Sequence, residues 1–272
     1  MTLNNKKQPV TLTIAGFDPT AGAGVLADIK TFAAFNCYAL AVATAITVQD
    51  TAKVYASTSL SADLVTDQLQ ALCQDIPIDA VKIGMLASEE IVLAIVDFLE
   101  SYQPKFVVLD PLLYSTSGYP LLNPSAKNIV INKLFPLVTL LTPNLIEASL
   151  LLGEEIQDLE QMKIAARKLY NSCHSAVLIK GGHLTQDAID LLYEGTNYQT
   201  FSAPRTDISA HGTGCALSSA IAAGLACGNG LIKSVENAKE FISKALKNTK
   251  KVGQGANLLN HFCNFGAYVN EH

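Results

Sequence analysis

Short apolar runs rich in β-branched residues alternate along the chain with longer stretches whose apolar positions recur every three or four residues. The runs at 10–15, 39–48, 80–83, 106–109, 138–141 and 176–179 predict strands, followed by a hairpin-like pair around 189–193 and 198–201. The stretches between them predict amphipathic helices. In the one that begins near Leu159, Asp158 stands at the N-cap, Gln161 follows three residues later, and Met162, Ala165, Ala166 and Leu169 share one face. Strand and helix in repetition are the pattern of βαβ units, so the expected fold is α/β, with a mostly parallel sheet covered by helices. No internal repeat, low-complexity tract or Pro/Gly-rich linker divides residues 1–272, and one domain is expected. At 272 residues and 49% hydrophobic content the chain can bury one large core.

Charge and cysteine usage narrow the function classes. The formal net charge is −5, and basic residues cluster only in short pairs such as Lys6-Lys7 and Lys250-Lys251, which argues against a nucleic-acid or anionic-membrane partner. The six cysteines show neither a C-x-x-C pair nor zinc-site spacing and read as reduced thiols. The first ten residues lack the apolar stretch of a signal peptide and no run is long enough to span a bilayer, so a cytoplasmic location is expected.

The strongest local chemistry lies in His211-Gly212-Thr213-Gly214-Cys215, just ahead of a predicted helix at 216–226. Two glycines let successive N–H groups point into one concavity, and the helix adds its positive end, so an anion is expected there. Cys215, in the first turn, sits where that field favours a thiolate and is a candidate base or nucleophile. A glycine turn that merely allows close helix packing remains the alternative. Lys180 ends an apolar strand and precedes Gly181, Gly182 and His183, a placement suited to phosphate oxygens or simply to solvent; His183 reads as structural. Asp110 and Glu147 are carboxylates at or just past strand ends, suited to magnesium in a nucleotide site. Glu147 also fits an ordinary first-turn charge if a helix starts at Asn144. The turn-rich stretch 111–124 follows a strand and is placed to act as a lid. Gly22-Ala-Gly24-Val-Leu-Ala27, with Asp50 further on, fits a dinucleotide fingerprint, but residues 17–21 separate the glycines from the strand. The loop reads instead as a cradle for a small substrate, with Asp28 and Gln49 as hydrogen-bonding groups.

Taken in order, TIAGFDPTAGAGVLADIKTF at 13–32, TAITVQDT at 44–51, KIGML at 82–86, VVLDP at 107–111, STSG at 115–118, LLTPNLIEA at 140–148, LIKGGH at 178–183, FSAPR at 201–205 and HGTGCALSSAIAAGLA at 211–226 resemble the hydroxymethylpyrimidine/phosphomethylpyrimidine kinases of the thiamine pathway, in the ribokinase superfamily. The resemblance spans nearly the whole chain and implies a ribokinase-like three-layer sandwich. It implies that Gly16, Ala23, Asp28, Thr47, Gln49, Met85 and Leu112 line a pyrimidine pocket, with Gln49 bonding the aminopyrimidine. By the same resemblance Gly212, Thr213 and Gly214 form an anion hole, Cys215 lies beside the reacting hydroxymethyl group, and Lys180 binds phosphate. Asn144, Lys180 and Thr213 fall to the nucleotide, and Asp110 and Glu147 to magnesium. Three departures bear on specificity: Phe17 stands where a small hydroxyl residue is expected, Ala21 where a glycine is, and Asp50 where an asparagine is common.

The implied reaction uses ATP and Mg2+ to phosphorylate 4-amino-5-hydroxymethyl-2-methylpyrimidine and then its monophosphate, in a homodimer. Pyridoxal kinase is the nearest rival, because its substrate also carries a hydroxymethyl group on an aromatic ring. A Cys/His hydrolase built on Cys215, an NAD-dependent dehydrogenase and a non-catalytic nucleotide sensor are more distant readings.

Overall fold

In the computed structural model of the chain, residues 7–115, 118–182, 188–203 and 208–263 are described. The expectations for the first six residues and for His183, and parts of the 111–124 and FSAPR segments, lie outside them. A nine-stranded sheet is formed by β1 (Val10–Phe17), β2 (Tyr38–Gln49), β3 (Val54–Ser59), β4 (Ala80–Ile83), β5 (Val107–Leu109), β6 (Leu140–Leu141), β7 (Ala176–Ile179), β8 (Ala188–Tyr193) and β9 (Tyr198–Ala203). Its order is β3-β2-β1-β4-β5-β6-β7-β8-β9. The six strands from β2 to β7 in that order run parallel, and antiparallel β3 at one edge and β8–β9 at the other complete the sheet.

Side chains alternate across the pleat and sort the helices into two layers. Val107 and Leu109 face a core shared with α2 (Ala62–Asp75), α3 (Glu89–Tyr102), α5 (Leu145–Leu152) and α6 (Leu159–Cys173). An irregular helical stretch that contains α4 (Lys127–Ile129) belongs to this layer. Val108, Leu140 and Leu178 face the opposite core, built with α1 (Gly24–Ala34), α7 (Thr213–Ala226) and α8 (Leu231–Lys247). The result is the three-layer α/β sandwich expected from the sequence.

Local chemistry explains most element boundaries. Ser61, Ser88, Asn144 and Asp158 cap α2, α3, α5 and α6, each accepting a backbone N–H bond in the first turn. Helix α7 starts at Thr213, earlier than expected, because Gly212 takes a φ of +79° that turns the chain directly into it. Strand β3 was not expected. Its sequence, VYASTS, shows no buried face for a pattern to reveal, and pairing with β2 alone defines it. A second, two-stranded element, β10 (Ala210–His211) with β11 (Asn257–Leu258), ties the segment near the carboxyl end to the glycine turn.

The α7-facing side of the sheet holds an ion pair sealed from water. Lys82 and Asp28 are both 0% exposed and meet at 2.8 Å. Thr13 donates to one Asp28 oxygen at 2.6 Å and Ser219 to the other at 2.7 Å, so β1, β4, α1 and α7 converge on one carboxylate. Asp28, expected as a hydrogen-bonding group of the substrate cradle, is thus enclosed and bonded to Thr13, Lys82 and Ser219. Removing one partner leaves a buried charge uncompensated. Asp28→Ala should lower unfolding free energy by about 3–5 kcal/mol in a denaturant titration, whereas Asp28→Leu with Lys82→Met should recover most of it. A cost below about 1 kcal/mol would show that water reaches the pair.

Candidate active site

Alternation places polar groups under the start of α7. Val81 and Ile83 face the first core, so Lys82 between them faces α7, as do Asp110 beyond Val108, Thr142 beyond Leu140 and Lys180 beyond Leu178. All four lie at or just past the carboxyl ends of neighbouring parallel strands, where open α/β sheets bind ligands. Lys180 Nζ meets Asp110 Oδ1 at 2.6 Å and Glu147 Oε2 at 4.0 Å. Burial opposes the charge on Lys180, but Asp110 and Glu147 outweigh it and raise the ammonium above its ordinary range. Thr142 and Ser218 hydroxyls lie 3.5 Å from the two Asp110 oxygens.

Glu147 also has the local role left open by the sequence. Its carboxylate accepts the Asn144 N–H at 2.8 Å and Asn144 accepts the Glu147 N–H at 2.8 Å, a reciprocal cap on α5. Burial, helped by Asp110 and opposed by Lys180 and the Asn144 amide, pushes its pKa up to about 7. Asn144 is bridged to Lys180, so this cap sits against the lysine. Among the described residues no three His, Cys, Asp or Glu side chains gather into a metal cage. A cation held here would rely on Asp110 or Glu147 and on oxygens brought by a ligand.

The mouth of this charged cluster is formed by two helix N-termini. Neither α1 nor α7 has a side-chain cap or an acidic residue in its first turn. Their leading N–H groups lack carbonyl partners within the helix, and both helices point their positive ends into the same region. The approach is close enough to require glycine: a Cβ on Gly212 would lie 1.8 Å from the Gly22 oxygen, and one on Gly24 2.2 Å from the Gly16 oxygen. On Gly214 a Cβ would lie 3.1 Å from Lys180 Nζ and 3.8 Å from Asp110 Oδ2, so the missing side chain keeps the lysine and carboxylate open toward the helix start.

Cys215 corrects one expectation. Burial first, and the Asp110 and Asp28 charges next, push the thiol up to about 11 despite Lys82 and the Gly24 N–H bonded to its sulfur, opposite to the thiolate expected at a helix start. The residue is a neutral thiol near pH 7. Thr213 is turned to its own turn, donating to the Ala210 carbonyl at 2.8 Å.

The loop expected to cradle a substrate is organised by Asp18, which carries no motif of its own in the sequence. Asp18, 3% exposed, accepts from the Thr20 N–H and hydroxyl at 2.8 Å and from the Ala23 N–H at 2.9 Å, and it meets His211 Nε2 at 3.1 Å. Burial opposes its charge, yet the His211, Thr20 and Ala23 contacts hold its carboxyl below the ordinary range. Ala21 has a φ of +55°, the left-handed conformation for which a glycine is expected, and its carbonyl accepts from Lys30 at 2.5 Å. Of the pocket residues, Gly16 lies under Met85, whose sulfur would be 2.7 Å from a Cβ there, and Thr47 donates to the Phe17 carbonyl at 3.0 Å. Ala23, Gln49 and Leu112 are half-buried, with Gln49 closing β2 at a register shift.

Asp50, expected as a charge beside the substrate, is spent on its turn. It accepts from the Ala52 and Lys53 N–H groups at 2.8 and 3.0 Å and from the Tyr55 hydroxyl at 2.8 Å. The tail packs on that turn, with Ala256 N–H donating to the Thr51 carbonyl at 2.7 Å. Asp190 was also missed; it accepts from the Gly181 N–H at 3.0 Å and pairs with Lys239 at 2.7 Å, fixing the turn after Lys180. A lone lysine or aspartate inside an apolar run, as at Lys82 and Asp190, is the signal that could have pointed to them, since such charges are buried only with partners.

The chain matches the family model described as phosphomethylpyrimidine kinase over residues 18–260. It is 45% identical over 252 residues to the hydroxymethylpyrimidine/phosphomethylpyrimidine kinase of Aquifex aeolicus, covering 92% of this chain and 99% of that one. To the protein of the same description from Escherichia coli it is 42% identical over 256 residues, covering 92% and 96%. Among solved structures it resembles Bacillus subtilis pyridoxal kinase in its ADP complex, with a TM-score of 0.89, 32% identity and coverage of 95% and 99%. It also resembles phosphomethylpyrimidine kinase from Clostridium difficile, with a TM-score of 0.79, 40% identity and coverage of 88% and 100%. The matched span takes in the Asp18 loop, Lys82, Asp110, Glu147, Lys180 and the glycine turn at 212–214, and the chain belongs to the phosphomethylpyrimidine kinase family.

Proposed function

We propose that this chain phosphorylates 4-amino-5-hydroxymethyl-2-methylpyrimidine at its hydroxymethyl oxygen with ATP, and then phosphorylates the monophosphate to the diphosphate at the same site. The observation that carries the reading is the Lys180–Asp110–Glu147 cluster opening onto the bare start of α7, with the Asp18-built loop packed on Gly212. Phosphoryl transfer asks mainly for positioning and for charge stabilisation around the transferring group. In this reading Lys180 turns from Asp110 to phosphate oxygens, and the N–H groups of Thr213, Gly214 and Cys215 receive the charge that develops on the γ-phosphoryl group. Asn144, bridged to Lys180, borders the nucleotide. Gly16, Ala23, Thr47, Gln49, Met85 and Leu112 hold the ring; Asp28 supports them from behind through Lys82 and Ser219.

Magnesium fits the donor set, since Asp110 Oδ2 would lie 3.8 Å from a Gly214 Cβ and Glu147 reaches the same lysine at 4.0 Å, and bound there it would neutralise phosphate charge. The reading also includes a single domain, a homodimer and a cytoplasmic setting; the net charge of −5 accords with the absence of a nucleic-acid partner. Pyridoxal kinase is the second reading, favoured by the TM-score of 0.89 to the Bacillus subtilis enzyme, while the higher identities are to pyrimidine kinases.

An ATP-consumption assay with magnesium tests this, offering the pyrimidine, its monophosphate and pyridoxal in parallel. Turnover of the first two is expected; turnover of pyridoxal alone would give the chain to the second reading, and none with any of the three would contradict both. Lys180→Met should lower kcat/KM by about a hundredfold to a thousandfold while leaving the circular dichroism unchanged. With its thiol held up to about 11, Cys215 acts as a neutral neighbour of the reacting oxygen rather than as its base. The pH profile of kcat should therefore be flat between about pH 8 and 9, above the Glu147 titration, and Cys215→Ser should stay within about tenfold of the parent; a tenfold rise per pH unit would assign the base to Cys215.

A further inference from the structure

We propose that Cys37 and Cys227 are a redox pair that closes into a disulfide, locking together the far ends of the two helices whose near ends form the active site. Their sulfurs lie 3.7 Å apart although 190 positions separate the residues in the chain. Both thiols point to the Phe35 carbonyl, at 3.8 and 3.7 Å, and Cys37 also approaches the Ala223 carbonyl at 3.8 Å. Bonding requires the sulfurs to close from 3.7 Å to about 2 Å, a displacement of the size that side-chain rotation supplies.

Topology makes the pair more than a chance contact. Helix α1 begins at Gly24, whose N–H is bonded to the Cys215 sulfur, and ends where Phe35–Cys37 turns into β2; helix α7 begins at Thr213 and its C-cap is Cys227. The two helices pack side by side, starting at the active site and ending at the thiols. At 11 and 14 residues they put the pair roughly 15–20 Å from Cys215. A bond there would restrain the helices without touching the chemistry.

The two thiols divide the work. Cys227 is exposed and meets the oxidant, whereas Cys37 is buried, and burial and the neighbouring sulfur push its thiol up. The Cys227 thiolate attacks one oxygen of a hydroperoxide, forming a sulfenic acid and releasing hydroxide or alkoxide. The Cys37 sulfur then attacks the Cys227 sulfur and expels hydroxide, which takes the Cys37 proton and leaves as water. Two thiols and one hydrogen peroxide thus give one disulfide and two waters.

Limited hydrogen peroxide applied to the full chain, followed by non-reducing digestion and mass spectrometry, tests the proposal. A peptide carrying Cys37 linked to Cys227, lighter by two hydrogens than the sum of its parts, is expected. The oxidised protein should melt higher by roughly 5–10 °C, dithiothreitol should reverse the shift, and kcat should stay within about twofold. Cys227→Ser and Cys37→Ser should each abolish both the cross-link and the shift. Accumulation of Cys227 sulfinic acid without a cross-link, linkage to another cysteine, or an equal rise in melting temperature in the Cys227→Ser variant would overturn the proposal.

Discussion

Charge stored without water at the carboxyl ends of parallel strands is the constraint on which this structure depends. Lys82 and Asp28 are wholly enclosed, while Lys180, Asp110 and Glu147 are nearly so. A low-dielectric setting magnifies each interaction and each unmet partner alike. The two groups differ in how they are completed. Asp28 is saturated by Thr13, Lys82 and Ser219, so its charge is structural. Around Asp110, the hydroxyls of Thr142 and Ser218 stand only at the outer limit of hydrogen bonding, and the Glu147 carboxyl is already pushed up to about 7. That cluster is the one an incoming cation or phosphate would relax.

Glycine geometry makes the charge reachable. Gly212, Gly214 and Gly24 bring two helix starts and the Asp18 loop within backbone contact, where any Cβ would collide or close the opening toward Lys180. The other end of the same helix pair brings the Phe35 carbonyl, Cys37 and Cys227 together, so α1 and α7 run side by side from the glycine turn to the thiols. In the proposed function, the pocket for a small ring and the site for phosphate would both hang on these two helices.

Much of this was legible in the sequence. Strands at 10–15, 80–83 and 176–179 stand out because fully buried parallel strands read as continuous apolar runs, and the caps at Asp158 and Asn144 stand out because capping is local chemistry. Lys180 and Asp110 were legible as polar residues ending such runs. Other features depend on partners distant in the chain. Lys82 gains its meaning from Asp28, 54 positions away, and the Cys215 thiol is set by burial first and then by Lys82, Asp110 and Asp28, all far from it in the chain. Strand β3 depends on pairing alone, and Asp50, legible as a substrate-side charge, turned out to serve its own turn.

In the proposed function, Lys180 is held by Asp110 only until phosphate arrives. Binding of magnesium and a non-hydrolysable ATP analogue, measured by titration calorimetry on the parent chain and on Lys180→Gln, addresses it most directly. Loss of a charge-assisted contact to phosphate predicts an affinity about tenfold to a hundredfold weaker in the variant, with the fold retained. An unchanged affinity would rule out a phosphate contact and leave Lys180 as a structural counterion to Asp110.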